Sequence, residues 1–315
     1  MKKRLVLLFK ILLGLASFVF LWFRLKDQLM PEKIAILKQT LFLGNNLLLF
    51  AFIYFLMIPN WLIESYKWKI ITAHIEKISY LKAIKGVMAG ICIGNVTPGR
   101  FGEFAGRLIY FKPEHRSKIT VTHFVCGSTQ LFITVATGIV CTALWLLKHE
   151  FSDLIYIALV AGGVLLLFLT LLLFKIDIAY KKVASLRMLQ RFDLGAVHYP
   201  KPILIKTILW SMLRYFVFAS QYVLLLKICG ANGSYFELFI PVSISFMLMS
   251  SIPMISFIEV AIRAGIALLL FSEFIPNELL IITASTALWF INIITPSIIG
   301  YFIILASKIQ LKSKN

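Results

Sequence analysis

The sequence predicts an all-α polytopic membrane protein with about six full spans and two re-entrant broken helices, arranged as an inverted repeat. Three observations lead to this prediction. The 315 residues are 60% apolar and 15% charged, whereas a soluble domain is nearer half apolar and a quarter charged. Several apolar runs reach the ~20 residues that a helix needs to cross a bilayer. Most lysines and arginines stand beside these runs, where the cytoplasmic loops of membrane proteins carry them.

The charge pattern favours a membrane surface over nucleic acid as the partner of this chain. The net charge is +18 and the mean hydropathy is +0.90. The basic residues flank apolar runs, where they face anionic lipid. The four cysteines are scattered without a C-x-x-C spacing, so we interpret them as small core residues rather than disulfides or metal ligands. We therefore expect one transmembrane domain over residues 1–315, with no cofactor.

Six apolar runs are long enough to be full spans. The first of them follows a basic start and lacks an A-x-A-like cleavage site, so we expect a retained helix rather than a removed signal peptide. The six runs are 5–23, 41–62, 119–147, 154–174, 203–226 and 279–306. Two further apolar regions, 84–111 and 235–271, are interrupted by proline.

The loop charges predict the orientation of these spans. Segments 67–85, 112–118 and 175–206 and both termini are rich in Lys and Arg, whereas the other loops hold few. The pattern is satisfied if each broken region returns to the side it came from, the first from the cytoplasm and the second from outside. Segment 24–38 is an exception, because it carries four basic residues yet must lie outside. This topology places both termini in the cytoplasm of a multi-pass cell-membrane protein. It divides the chain into repeats of about 1–147 and 154–315.

The segment 95–107 combines a helix break with charge. Pro98 and Gly99 end any helix that arrives from residue 84, and Glu103 suits the positive end of the next helix dipole. Arg107 follows at i+4, so the two charges can pair. Irregular backbone and charge at membrane depth are tolerated only where protein or a watery cavity covers them. We therefore expect a polar site here.

The second broken region contains a weaker copy of this pattern. Pro253 precedes Glu259 by six residues, and Arg263 follows Glu259 at i+4. Arg214 lies near the middle of the predicted fifth span, where a charge costs roughly 2.5 kcal/mol or more. Pairing of Arg214 with Glu259 or another acid and direct contact with substrate both remain open. We interpret His123 as a packing residue.

Two interpretations stand for the charges of the first break. One is a helix start at the cytoplasmic interface with snorkelling arginines, and the other is a polar site inside the dip. Gly99, Gly102 and Gly106 favour the second, because glycines three to four residues apart permit close approach to a helix or a headgroup. The candidate substrate-binding residues are Asn95, Thr97, Pro98, Gly99, Arg100, Gly102, Glu103, Arg107, Arg214, Pro253, Glu259 and Arg263.

Arginine suits bidentate contact with phosphate. We therefore hypothesise that Arg100, Arg107 and Arg263 engage a lipid phosphate. In this hypothesis, Glu103 and Glu259 offset the arginines while no lipid is bound.

Segment 94–103, Gly-Asn-Val-Thr-Pro-Gly-Arg-Phe-Gly-Glu, resembles the motif of the lysylphosphatidylglycerol synthase transmembrane-region family, which is flippase-like. Trp68 with its basic neighbours is similar to the Arg/Lys-Trp position of that family. Pro253 and Glu259 are similar to its second motif, although Met254 stands where the family usually has glycine. The resemblance covers nearly the whole chain and implies a membrane region associated with moving lipids between leaflets. Some members add a soluble aminoacyl-transfer domain, which this sequence lacks, so we expect no lysyl-lipid synthase activity.

Three functions compete at this stage. The leading hypothesis is a translocase for an anionic-headgroup lipid or a lipid-linked precursor, working without ATP because no P-loop pattern occurs. The alternative is a transferase-type membrane enzyme, or a subunit of one, acting on a lipid headgroup. No His/Asp/Glu cluster with ligand spacing supports it, so we expect no catalysis. A third possibility is a scaffold for an envelope-lipid or glycan enzyme. The expected partners are a membrane phospholipid or lipid-linked substrate, and a second copy of the chain or an envelope enzyme.

Overall fold

The computed structural model describes residues 31–41, 44–97, 100–148, 153–174, 199–251 and 259–307, and within these ranges the chain is helical without strands. The predicted first span, 5–23, lies outside them. The α-helices are α1 Pro31–Leu41, α2 Asn46–Phe55, α3 Met57–Thr72, α4 Tyr80–Asn95, α5 Gly102–Leu108, α6 Arg116–Leu146, α7 Asp153–Phe174, α8 Lys201–Ile228, α9 Tyr235–Ser251, α10 Glu259–Phe271, α11 Glu278–Trp289 and α12 Thr295–Ala306.

Four helical stretches in the described part of the chain are long and apolar enough to cross a membrane. They are Asn46–Thr72, Pro113–Leu146, Lys201–Ile228 and Glu278–Ala306. They coincide with four of the predicted spans, and α7 covers a fifth. The all-α membrane class is therefore confirmed. The number of spans stays a prediction.

The second span differs from the prediction at its end. It was predicted to stop at residue 62, but the helix continues to Thr72. No glycine or proline follows Trp61 in this stretch, so nothing interrupts the backbone hydrogen bonds. The interruption comes earlier, at Leu56 between α2 and α3, because Pro59 has no N–H to donate to the carbonyl one turn before it. The extension carries Glu64 and Lys67 into the helical bundle.

The last span contains a π-helical turn, Phe290–Ile294, directly before Pro296. A proline ring clashes with the carbonyl four residues earlier, and a wider turn relieves this clash. The turn directs Asn292 into the bundle, where its side-chain oxygen accepts a hydrogen bond of 2.8 Å from Asn60. The pair joins α3 to the last span.

The first broken region folds back on itself as an antiparallel hairpin of α4 and α5. Gly90 and Gly106 bring the two backbones together. A methyl group on Gly90 would lie 2.8 Å from the Glu103 carbonyl oxygen, and one on Gly106 would lie 2.5 Å from the Ala89 carbonyl oxygen. Later residues of α4 therefore contact earlier residues of α5, as antiparallel packing requires. In the second broken region α9 and α10 also pack together, and the break between them lies outside the described residues.

The two halves of the chain exchange contacts at glycines. Gly138 of α6 packs against Met247 of α9, and Gly300 of α12 packs against the Met88 carbonyl of α4. In each case the last span of one half lies on the first helix of the broken region of the other half. The four cysteines are buried and form no disulfide within the described residues, as expected for small core residues.

Candidate functional site

Thr97 joins the two helices of the first hairpin across their break. Its hydroxyl donates to the carbonyl of Gly94 at 3.0 Å and accepts from the N–H of Gly102 at 2.7 Å. Arg100 follows the break with a φ of 59°, a left-handed conformation that is uncommon for a residue with a side chain. These contacts fix the start of α5, which carries Glu103.

Arg107 lies at the centre of a buried network of charges. Its Nη2 donates to Glu103 at 2.7 Å and to Glu64 at 2.9 Å, and its side chain is 3% exposed. The i+4 pair expected from the sequence is present, and the second carboxylate comes from α3. One guanidinium group therefore links the hairpin to the second span.

Glu64 continues the network toward the second half of the chain. Its carboxylate lies 3.1 Å from Lys67 Nζ and 3.3 Å from Arg214 Nη1. Lys67 is 1% exposed and Arg214 is 18% exposed. Arg214 thus pairs with an acid of α3. At the other end, Arg100 lies 3.3 Å from Glu103. Positive and negative groups alternate along the network, and it ends in cations.

Two tryptophans of α3 stack on the arginines. Arg107 lies 4.9 Å from the ring centre of Trp68, and Arg214 lies 4.9 Å from the ring centre of Trp61. Cation–π contacts of this kind are strongest where the cation is desolvated. The rings hold both guanidinium groups in place without neutralising their charge.

The network borders a cavity of ≈ 360 Å³. Its walls come from α3, α5, α6, α8 and α9 and from the turn before α5. The lining residues are Trp61, Glu64, Arg100, Glu103, Arg107, His123, Cys126, Gly127, Gln130, Leu131, Thr134, Arg214 and Ser250. Arg107 Nε and Nη1 are buried and have no hydrogen-bond partner in the described part of the chain. Buried donors without partners are costly, so the cavity suits a ligand that supplies acceptors.

The structure brings four of the predicted site residues together. Arg100, Glu103, Arg107 and Arg214 all line this cavity. Thr97 and Gly102 stand behind them and shape the hairpin: a methyl group on Gly102 would lie 2.8 Å from the Ile93 carbonyl oxygen. Asn95 ends α4 and is not among the lining residues.

The remaining predicted residues either do not line this cavity or lie outside the described part of the chain. Arg263 lies on α10 near Tyr222. Pro98, Gly99 and Pro253 lie outside the described residues, as does the side chain of Glu259. The phosphate hypothesis grouped Arg263 with Arg100 and Arg107. The structure places Arg263 apart from these two residues.

Several site residues were missed in the sequence. Trp61 was assigned to the end of the second span, Glu64 to the stretch that follows it, and Lys67 to the basic segment 67–85, all outside the candidate site. His123 packs against the rings of Trp68 and Phe104, as its interpretation as a packing residue predicts, and it also lines the cavity with Gln130. The signal that could have found Glu64 is the absence of any helix breaker after Trp61, because it predicts a helix that carries both charges into the bundle.

Comparison with known proteins assigns this architecture to a family. A family model described as the lysylphosphatidylglycerol synthase TM region matches residues 7–300. No curated protein matches the chain significantly.

Proposed function

The chain belongs to the lysylphosphatidylglycerol synthase TM region family, and we propose that it moves an anionic-headgroup lipid or lipid-linked precursor between leaflets without ATP. The observation that carries the proposal is the charged cavity inside an apolar bundle. Charge at membrane depth is rare and marks substrate or ion pathways. Here Arg107 is buried with two unused donors, and arginine is well suited to phosphate.

The surroundings of the cavity suit a substrate with a polar head and apolar chains. Phe101 and Phe124 are large exposed apolar residues, and each directly follows a cavity-lining residue in the chain, Arg100 and His123 respectively. The ring of Phe104 contacts the rings of Phe124 and His123. A lipid could therefore place its headgroup among the arginines while its chains remain against apolar side chains.

The proposed topology is six spans with two re-entrant hairpins related by an inverted repeat. Its support is the antiparallel packing of α4 on α5 and the reciprocal packing at Gly138 and Gly300. Inverted repeats with broken helices place the substrate between the repeats, where rocking of one repeat against the other alternates access. The pair of Glu64 and Arg214 lies at such a boundary, because it joins α3 to α8.

Cysteine accessibility tests this topology. Single cysteines at Lys85 and Lys112 lie near the two ends of the first hairpin, and cysteines at Phe236 and Glu273 lie near the two ends of the second broken region. We expect a membrane-impermeant reagent to label the first pair from the cytoplasm and the second pair from outside. Labelling of the two flanks of either hairpin from opposite sides would contradict the re-entrant arrangement.

Translocation itself is tested in proteoliposomes with a fluorescently labelled anionic phospholipid. We expect protein-dependent loss of leaflet asymmetry, and its abolition by Arg107→Gln. Lys112→Gln is the matched control, because Lys112 is an exposed loop cation outside the cavity. Gel filtration and thermal melting verify that each variant is folded.

Two results would refute the translocase proposal. One is asymmetry that decays no faster than in protein-free liposomes, and the other is normal translocation by a folded Arg107→Gln protein. Product formation from lipid and an activated donor, without translocation, would favour a membrane enzyme instead.

A further inference from the structure

We propose that the cavity selects a phosphate monoester, either at the end of a lipid or free in solution, over a phosphate diester. The inference builds on the proposed function, because it names the class of substrate that the same cavity would take. It concerns only the charge of the group that binds there. A phosphate monoester carries about −1.5 to −2 at neutral pH and presents three acceptor oxygens. A diester carries a single negative charge and presents two free oxygens.

The charges around the cavity favour the monoester. Among the described residues of the network, cations outnumber carboxylates by two, with histidine counted as neutral. The cations are Lys67, Arg100, Arg107 and Arg214, and the carboxylates are Glu64 and Glu103. An uncompensated charge in a buried site is strongly unfavourable. A diester would leave one positive charge in excess, whereas a doubly charged monoester neutralises the whole network.

The unused hydrogen-bond donors point the same way. Arg107 leaves Nε and Nη1 without partners, and Arg214 leaves Nε without one. Both residues line the cavity, and so does Arg100, whose side chain is 42% exposed. Arginines form their strongest contacts with charged oxygens, often two at a time. A group with three free oxygens uses such donors more fully than a group with two.

The cavity volume limits the size of the headgroup. Ligand cavities commonly range over ~300–1,000 Å³, and this one holds ≈ 360 Å³. A space at the small end of that range suits a compact headgroup. A terminal phosphate meets this limit without any further substituent.

Binding is measured on the purified full chain in detergent by tryptophan fluorescence, because Trp61 and Trp68 stack on the arginines that contact the ligand. The probes are dioleoyl phosphatidic acid, a monoester, and dioleoyl phosphatidylglycerol, a diester. We expect the monoester to bind at least ~10-fold more tightly at pH 8, because an additional charge beside desolvated guanidinium groups is worth such a factor. Equal affinities would overturn the proposal.

Inorganic phosphate distinguishes the two sources of the monoester. Competition between inorganic phosphate and phosphatidic acid would show that the phosphate alone suffices. Preference for phosphatidic acid without such competition would assign the site to a lipid phosphate. Both results support the selection of a monoester.

Arg100 supplies the variant least expected to disturb folding, because it lies at the mouth of the cavity. We expect Arg100→Gln to lower the ratio of monoester to diester affinity toward one, while diester binding persists. Arg100→Lys should keep the preference, and Lys112→Gln serves as the control for surface charge. Full preference in Arg100→Gln would refute the charge count on which the proposal stands.

A pH series gives an independent readout, because the second proton of a phosphate monoester has a pKa of ≈ 6. The affinity ratio should fall between pH 8 and pH 5.5 as the monoester loses its second charge. The charged and titratable groups that line the cavity are Glu64 from α3, Arg100, Glu103 and Arg107 from the hairpin, His123 and Cys126 from α6, and Arg214 from α8. Lys67 of α3 does not line the cavity but pairs with Glu64.

Protonation of the protein would strengthen the binding of both lipids, and that of the doubly charged monoester more, so it would raise the affinity ratio rather than lower it. His123→Gln removes one such titration, and its affinity ratio should still fall as the pH is lowered. A ratio that is constant with pH would overturn the proposal.

The outcomes also separate this inference from the translocase function. Equal binding of the two lipids together with intact translocation refutes the selection of a monoester and leaves the translocase. Selective binding without translocation refutes the translocase and leaves a monoester site.

Discussion

Glu64 shares its carboxylate among three cations, and replacing it with glutamine should destabilise the bundle by ~3–5 kcal/mol, as expected for the loss of one partner of a buried ion pair. Its oxygens lie 3.1 Å from Lys67, 2.9 Å from Arg107 and 3.3 Å from Arg214. Glutamine keeps the shape of the side chain and removes only its charge. The three cations, of which Lys67 and Arg107 are buried and Arg214 is partly buried, then remain with Glu103 as the one carboxylate of the described network.

The assay is unfolding of the purified protein by titration of sodium dodecyl sulfate into mild detergent micelles. The matched control is Glu114→Gln. Glu114 is 66% exposed, and its carboxylate lies 4.0 Å from Lys112. An exposed pair of this kind contributes ~0–1 kcal/mol. The same chemical change should therefore have a large effect at residue 64 and a small effect at residue 114.

A second substitution separates charge from packing. In Glu64→Gln/Arg214→Gln the lost negative charge is matched by a lost positive charge, so part of the stability should return. Contacting residues in one ion-pair network show coupling free energies of ~0.5–3 kcal/mol. The charge argument is refuted if Glu64→Gln behaves like Glu114→Gln, or if the double variant loses the sum of the two single losses.

Two further predictions concern packing and pH. Gly106→Ala should lower the free energy of unfolding by ~1–3 kcal/mol, because the methyl group would meet the backbone of α4. Gly127→Ala is the control, since nothing lies within 4 Å of the added methyl. Equal effects of the two substitutions would contradict the hairpin packing. Glu76 lies in the loop after α3. Burial raises its pKa, but hydrogen bonds from His115 and the N–H of Lys112 outweigh this, so the pKa falls below the ordinary 4.5. The stabilisation is therefore complete above that pH and is lost as the pH falls through the lower folded pKa. The difference in stability between wild type and Glu76→Gln should shrink below pH 4.5; a constant difference from pH 7 to pH 3 would contradict it.

Much of the fold could be predicted because the local sequence determines where a membrane helix forms. An apolar run of sufficient length forms a helix whatever lies beside it, since a bilayer offers no other partner for backbone groups. The i+4 pair of Glu103 and Arg107 is equally local, and the structure confirms it at 2.7 Å. The break before it follows from proline and glycine chemistry.

The composition of the site could not be predicted to the same extent, because it depends on which helices pack together. Arg214 was recognised as a charge that needs an acid, and Glu259 was the acid named first. The observed partner is Glu64, which lies far away in sequence and becomes available only because α3 continues past residue 62. Arg263 followed the same i+4 pattern as Arg107, yet it lies near Tyr222 rather than in the cavity. Local spacing specifies a helix face but not the neighbour that the face meets.

Buried ion pairs are weak stabilisers, because the desolvation of two charges offsets much of their attraction. A bundle selected for stability alone would fill this space with apolar side chains. Here Glu64 and Arg107 from the first half of the chain and Arg214 from the second half meet around a cavity, and donors of both arginines remain unused. The desolvation cost is therefore concentrated where the two halves join. A negatively charged ligand at this position would contact both halves at once, and a transporter built from two repeats requires that placement.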